Sequence, residues 1–129
     1  MNSRIRLKSF KAHTYRVSDI ASSPDGLTAV SVGWNGVCKL WSGRGQREIS
    51  TLKPGPCPYN CVAFHPEKDF VVIGDWEGLV KVWNLTSFER KAVLRGHEAS
   101  VQDVKISSDA SRIVSVDLNG VVCVFEGIF

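Results

Sequence analysis

Three aromatic residues, Trp41, Trp83 and Phe125, stand 42 residues apart, and each closes the same nine-residue pattern at 34–42, 76–84 and 118–126. The pattern is a turn with glycine, a short apolar strand and a terminal aromatic. A fixed period of this size constrains the fold more than composition does, because each copy must be one supersecondary unit that buries its apolar surface against its neighbours. Other like residues fall into register without a gap: Phe10, Leu52 and Leu94; Pro24 and Pro66; Val30, Val72 and Val114; Gly36, Gly78 and Gly120.

Strand signals recur in the same order within each period. In the first unit, residues 4–10 alternate basic and mostly non-basic positions, the period-2 signature of a strand with one wet face. Short strands at 17–21, 27–32 and 37–41 follow, separated by Ser23-Pro24-Asp25-Gly26, which is strong turn chemistry, and by the tight-hairpin pair Asn35-Gly36. The second unit predicts strands at 47–52, 59–64, 70–74 and 79–83, and the third at 90–94, 101–106, 112–116 and 121–125. That makes twelve short strands in three groups of four, with nothing of helical period, so the fold class is all-β. Runs such as Leu79-Val80-Lys81-Val82-Trp83 are apolar on both parities. Both faces of each sheet therefore need cover, which a neighbouring unit stacked face to face supplies.

With 129 residues, 43% of them hydrophobic, the chain can build a core, and a formal charge of +3 makes no strong case for nucleic acid or membrane. No apolar run approaches the ~20 residues of a membrane span. The four cysteines, Cys38, Cys57, Cys61 and Cys123, sit among apolar or loop residues, and no charged segment followed by an apolar one opens the chain. An intracellular, reduced protein of the cytoplasm or nucleus is expected.

Ala12-His13 and Gly96-His97, the turn at 23–26 with weaker echoes at 65–68 and 107–110, and Trp41-Ser42, Trp83-Asn84 and Phe125-Glu126 together carry a resemblance to three WD-repeats of a β-propeller. It covers about 4–126, in one domain 1–129 with repeat units of about 4–42, 46–84 and 88–126. The resemblance implies a propeller segment of three four-stranded blades. It also implies a network in which a histidine, a strand serine or threonine, a turn aspartate and the tryptophan tie each unit together. Carried over by position, the first unit offers His13, Ser31, Asn35 in place of aspartate, and Trp41. The second has Gly55 where the histidine belongs, Glu77 at the turn, and Trp83; the third keeps His97 and Asn119 but ends in Phe125, which has no indole N–H. Two units cannot complete the network and must lean on apolar packing.

Some runs are more specific than the generic repeat: Ala12-His13-Thr14-Tyr15, Cys38-Lys39-Leu40-Trp41, Arg44-Gly45-Gln46, residues 60–67, and Gly74-Asp75-Trp76-Glu77-Gly78. They resemble WD-repeats of large ribonucleoprotein scaffolds of the telomerase and vault class. In such proteins the RNA- and nucleotide-binding parts are expected outside these repeats. The usual phasing of the family also makes residues 4–10 the outermost strand of one blade and residues 121–125 the third strand of another. Since closed propellers have four to eight blades, the expectation is a segment of a longer propeller or closure by self-association.

No constellation for catalysis emerges. Cys57, Cys61 and His65 could share a face only on a helix, and Pro54, Pro56 and Pro58 argue against one, so no metal or cofactor is expected. His13 and His97 occupy equivalent positions, which favours a repeated structural bond. Nothing fixes Asp19, Asp75, Asp103 or Asp117 in acid/base pairs, and phosphate-loop and nucleophile-elbow motifs are missing. The chain reads as a non-enzymatic protein-interaction scaffold within a multi-subunit complex. Partners of such propellers meet the loops near 11–16, 53–59 and 97–100, where Tyr15, Arg16 and Tyr59 are contact candidates. The alternative is direct RNA binding through the basic row Arg4, Arg6, Lys8 and Lys11, which on an outer strand serves equally as edge protection.

Overall fold

A computed structural model describes residues 11–42, 47–52 and 55–129. Its strands are β1 (Val17–Ser22), β2 (Thr28–Gly33), β3 (Cys38–Ser42), β4 (Arg47–Leu52), β5 (Tyr59–Phe64), β6 (Phe70–Asp75), β7 (Val80–Asn84), β8 (Glu89–Leu94), β9 (Val101–Ile106), β10 (Arg112–Asp117) and β11 (Val122–Glu126). Each differs from its expected span by a residue or less at either end. The strand expected at 4–10, with Arg4, Arg6 and Lys8, lies outside the described residues.

Three antiparallel sheets result, in the orders β1-β2-β3-β4, β5-β6-β7-β8 and β11-β10-β9. The sheets are offset by one strand from the repeat units. β4 opens the second repeat in sequence yet pairs with β3, as Cys38↔Leu52 and Leu40↔Ser50, and β8 pairs with β7 in the equivalent way, as Val80↔Leu94 and Val82↔Ala92. The chain enters the second sheet along a stretch holding Pro56 and Pro58, whose missing N–H groups cannot extend a ladder.

The sheets stack through their faces, with β5 beside β1 on one side and β9 on the other. Period-2 alternation decides which residues go where. In the second sheet Val62, Val71, Ile73 and Trp83 join a core with Val30, Val32, Leu40 and Leu52 of the first sheet. The opposite parity, Cys61, Val72, Val80 and Val82, packs on Val101, Val104 and Ile113 of the third. Covered on both sides, the middle sheet is apolar on both parities, the pattern legible at 79–83.

The turns between the first two strands of each sheet repeat one geometry. Ser23 N donates to Thr28 O, His65 N to Phe70 O and Ser107 N to Arg112 O, each at 2.9 Å. Asp25 and Asp109 organise the first and third turns by accepting from the serine hydroxyl two residues before, at 2.6 and 2.8 Å. In the second turn the His65 ring takes that part, its Nδ1 accepting from Glu67 N and Lys68 N, both at 2.9 Å. Ala110 holds the left-handed φ of 61° that Gly26, at 72°, adopts without strain.

Candidate interaction face

At the opposite end of the sheets, three hairpin turns and the incoming inter-sheet loops gather. In two of these turns a carboxylate sets the geometry: Asp75 Oδ1 accepts from Glu77 N and Leu79 N, and Asp117 Oδ1 from Asn119 N and Val121 N, at 2.8–3.0 Å. The turn acids are thus Asp75 and Asp117, two residues earlier than the positions Glu77 and Asn119 assigned from sequence. Asn119 is exposed and contributes only its backbone N–H. Gly33 stands at the corresponding place in the first turn, where Asn35 Oδ1 is shielded from solvent and makes no hydrogen bond.

Three different clusters brace these turns. In the first sheet His13 Nε2 meets Ser31 Oγ at 2.6 Å, and Trp41 Nε1 donates to the same oxygen at 2.8 Å. In the third, His97 lies between Ser115 Oγ, 2.6 Å from Nε2, and Asp117 Oδ2, 2.9 Å from Nδ1. Burial pushes the Asp117 carboxyl up, but the N–H groups of Val121 and Asn119 and the His97 ring outweigh it and hold the group below its ordinary range.

The second sheet lacks both histidine and serine, having Gly55 and Ile73 in their places, and it builds something else. The Tyr59 hydroxyl fills the space beside Gly55, where an added Cβ would stand 2.5 Å from it. The Lys81 ammonium lies 3.2 Å from Asp75 Oδ2 and 5.5 Å from the centre of the Tyr59 ring, with both members of the ion pair buried. Tyr59, 1% exposed, is therefore not the surface contact its loop position suggested, and burial pushes its hydroxyl up to about 12. Trp83 Nε1, with neither serine nor histidine near it in sequence register, is buried without a hydrogen bond.

Outside these braces lies an open rim. Trp34 N donates to Arg16 O, Trp76 N to Pro58 O and Leu118 N to Ser100 O, so each turn is fastened to the entry of its own inner strand. The Trp34 and Trp76 rings, 40% and 50% exposed, stand 5.9 Å apart at 60°. The Arg16 guanidinium sits 5.1 Å from the centre of the Trp34 ring, and Tyr15 and Lys11 are exposed nearby in sequence. A cleft of about 250 Å³ opens here, lined by Arg16, Ser18, Trp34, Asn60, Trp76 and Gln102 with Val17.

Its polar floor has a structural cause. Each inner strand carries an irregularity that skips one residue: Ser18 between the pairs of Val17 and Asp19, Asn60 between those of Tyr59 and Cys61, and Gln102 between those of Val101 and Asp103. Such bulges re-aim a side chain out of the ladder. Asn60 Nδ2 donates to Ser100 Oγ at 2.6 Å and Val101 O at 3.0 Å, Gln102 Nε2 reaches Ser100 Oγ at 3.2 Å, and Ser18 Oγ is shielded from solvent with no hydrogen bond. Of the sequence candidates, the structure brings Arg16 to this cleft. Trp34, Trp76 and the bulge residues went unnoticed as a surface, although their recurrence at the 42-residue step was a usable signal.

Among the described residues no group of three or more ligating side chains is placed to hold a metal. Cys61 Sγ lies 3.8 Å from Gly74 O, whereas His65 Nδ1 is taken by two amides. Burial pushes the Cys38 and Cys61 thiols up to about 12, which keeps them protonated and unreactive.

The family model for the WD domain, G-beta repeat, matches residues 4–42, 46–84 and 88–126. The chain is similar to telomerase protein component 1 of Rattus norvegicus, 29% identical over 112 residues, which cover 87% of this chain and 4% of that protein. It is similar to the ribosome biogenesis protein WDR12 homolog of Chlamydomonas reinhardtii, 31% identical over 85% of this chain and 27% of the relative. It is also similar to the target of rapamycin complex subunit LST8 of Bos taurus, 24% identical over 81% of this chain and 32% of the relative. The chain thus spans about a third or less of the length of these three relatives.

Proposed function

Since the chain belongs to the WD domain, G-beta repeat family, we propose that it serves as a non-catalytic protein-interaction scaffold whose recognition surface is the rim of Trp34, Trp76 and Arg16. The observation that carries this reading is the exposed tryptophan pair. Two large apolar rings half open to water, beside an arginine and over a polar floor, have the composition of an interface hot spot. The relatives named for a telomerase component and for a subunit of the target of rapamycin complex support membership in a multi-protein assembly. That this assembly is a ribonucleoprotein of the telomerase and vault kind is the finer part of the proposal. An intracellular setting, cytoplasmic or nuclear, is part of the reading and is supported by the free, buried thiols of Cys38, Cys57 and Cys61. The outer faces of the first and third sheets expose Val17, Ile20, Val122 and Val124, and the proposal includes their cover by further blades, of a longer chain or of a second copy.

Affinity capture from cell extract, with mass spectrometry and RNA sequencing of what is retained, tests the scaffold. Proteins held by the native chain and released by Trp34→Ala with Trp76→Ala are the expected outcome. Retained material that is RNA alone, salt-sensitive and indifferent to the rim, would overturn it in favour of direct RNA binding.

A further inference from the structure

The chemistry of the cleft specifies the kind of segment it takes. We propose that it binds an extended peptide presenting an acidic side chain next to an apolar one, an inference that rests on the rim being the interaction face. Arg16 makes no ion pair among the described residues; its guanidinium lies over Trp34 and offers its remaining N–H groups to a ligand. A guanidinium held against an aromatic ring has lost much of its rotamer freedom before a ligand arrives, and its planar fork matches a carboxylate. The neighbouring Trp34 and Trp76 rings form the apolar half of the site.

The floor suits a peptide backbone. Asn60 and Gln102 spend amide N–H groups on Ser100 and Val101, which leaves the carbonyl oxygens Oδ1 and Oε1 to accept from backbone N–H. Because the bulges recur at one position of successive inner strands, and β5 packs beside β9, the Asn60 and Gln102 amides follow one another from sheet to sheet, a row that an extended segment can follow. Charge disfavours a nucleic acid. A phosphate backbone requires several cations in a row, but this end of the described chain intersperses Lys11, Arg16 and Arg95 with the exposed Glu77 and Glu98 of the adjoining turn and loop.

The test selects a random heptapeptide library on the full chain and measures the enriched peptides by fluorescence anisotropy. Enriched peptides are expected to carry Asp or Glu beside an apolar residue, and exchange of that acid for its amide should weaken binding about tenfold. Arg16→Gln should cost about the same factor and abolish the discrimination between acid and amide, without moving the thermal unfolding midpoint, since the side chain is exposed. Peptides that bind through the rim, lost in Trp76→Ala, yet show no preference for an acid would overturn this inference and leave the interaction face standing. Peptides indifferent to both Trp34→Ala and Trp76→Ala, or no enrichment at all, would overturn both. Homopolymeric RNA bound and lost in the same rim variants would assign the cleft to nucleic acid and overturn it too.

Discussion

Trp41 and Trp83 show how far one residue type can differ in role at equivalent positions. The Trp41 indole N–H donates to Ser31, whereas that of Trp83 is buried and unbonded, so Trp83 stabilises through packing alone. Trp83→Ala should cost about 3 to 5 kcal/mol in denaturant unfolding. Trp83→Phe should stay within about 1 kcal/mol of neutral, because release of the orphaned N–H offsets the lost contact, as Phe125 already does in the third unit. Trp41→Phe should be the costlier of the two Phe variants by about 1 kcal/mol despite the lesser burial of Trp41; the reverse order would contradict the bond to Ser31. His65 is the titrating group of interest. Its Nδ1 accepts two N–H groups and burial pushes its pKa below 6.5, with Lys68 acting in the same sense and Glu67 against. Well above pH 6.5 neither folded nor unfolded chain holds that proton; as pH falls through 6.5 the unfolded chain takes one up first, so stability falls with pH until the folded value is reached. His65→Asn, which keeps an oxygen acceptor for the two amides, should lose this part of the pH dependence between pH 6.5 and the acid limb, as read by urea midpoints across pH.

At the scale of elements, the hairpin turns show what a neighbouring sheet demands. Gly78 and Gly120 have nearly the same φ, 91° and 82°, but a Cβ on Gly78 would stand 2.7 Å from His97 O and 2.9 Å from Ala99 O, and on Gly120 would meet nothing within 4 Å. Gly120→Ala should therefore cost only the left-handed strain of about 1 to 2 kcal/mol. Gly78→Ala should cost clearly more, since the carbonyls it meets are backbone and must move; equal losses would deny that the loop packs on the turn. The 107–110 turn allows the opposite test. Ala110 occupies the left-handed region at 61°, and Ala110→Gly should raise stability by up to about 1 kcal/mol, measured by thermal unfolding.

For the whole molecule the middle sheet is the stable centre, covered on both faces, while the third sheet turns Val122 and Val124, 59% and 52% exposed, outward. Exposed apolar side chains on a sheet with an edge favour association. Light scattering should show an apparent mass that rises with concentration, and the double change Val122→Lys and Val124→Lys should suppress that rise without altering the far-ultraviolet circular dichroism. A concentration-independent mass for the native chain would remove the need for covering blades. The buried Lys81–Asp75 pair belongs to this scale as well, because it braces the turn at the centre of the stack where the histidine is missing.

The period of 42 and the alternation within each strand sufficed to determine the strands, the turns and the all-β class, because local spacing dictates which side chains share a face. Periodicity could not show which carboxylate sets a turn, since Asp117 and Asn119 differ by two positions and only the curl of the hairpin brings Asp117 to His97. Nor could it place Tyr59: a loop position suggested exposure, and the absence of a histidine side chain at Gly55 created the space that buries it. The cleft too was left to tertiary structure. Bulges arise from pairing between strands, and only that pairing lifts Ser18, Asn60 and Gln102 out of their ladders and sets them beneath Arg16, Trp34 and Trp76.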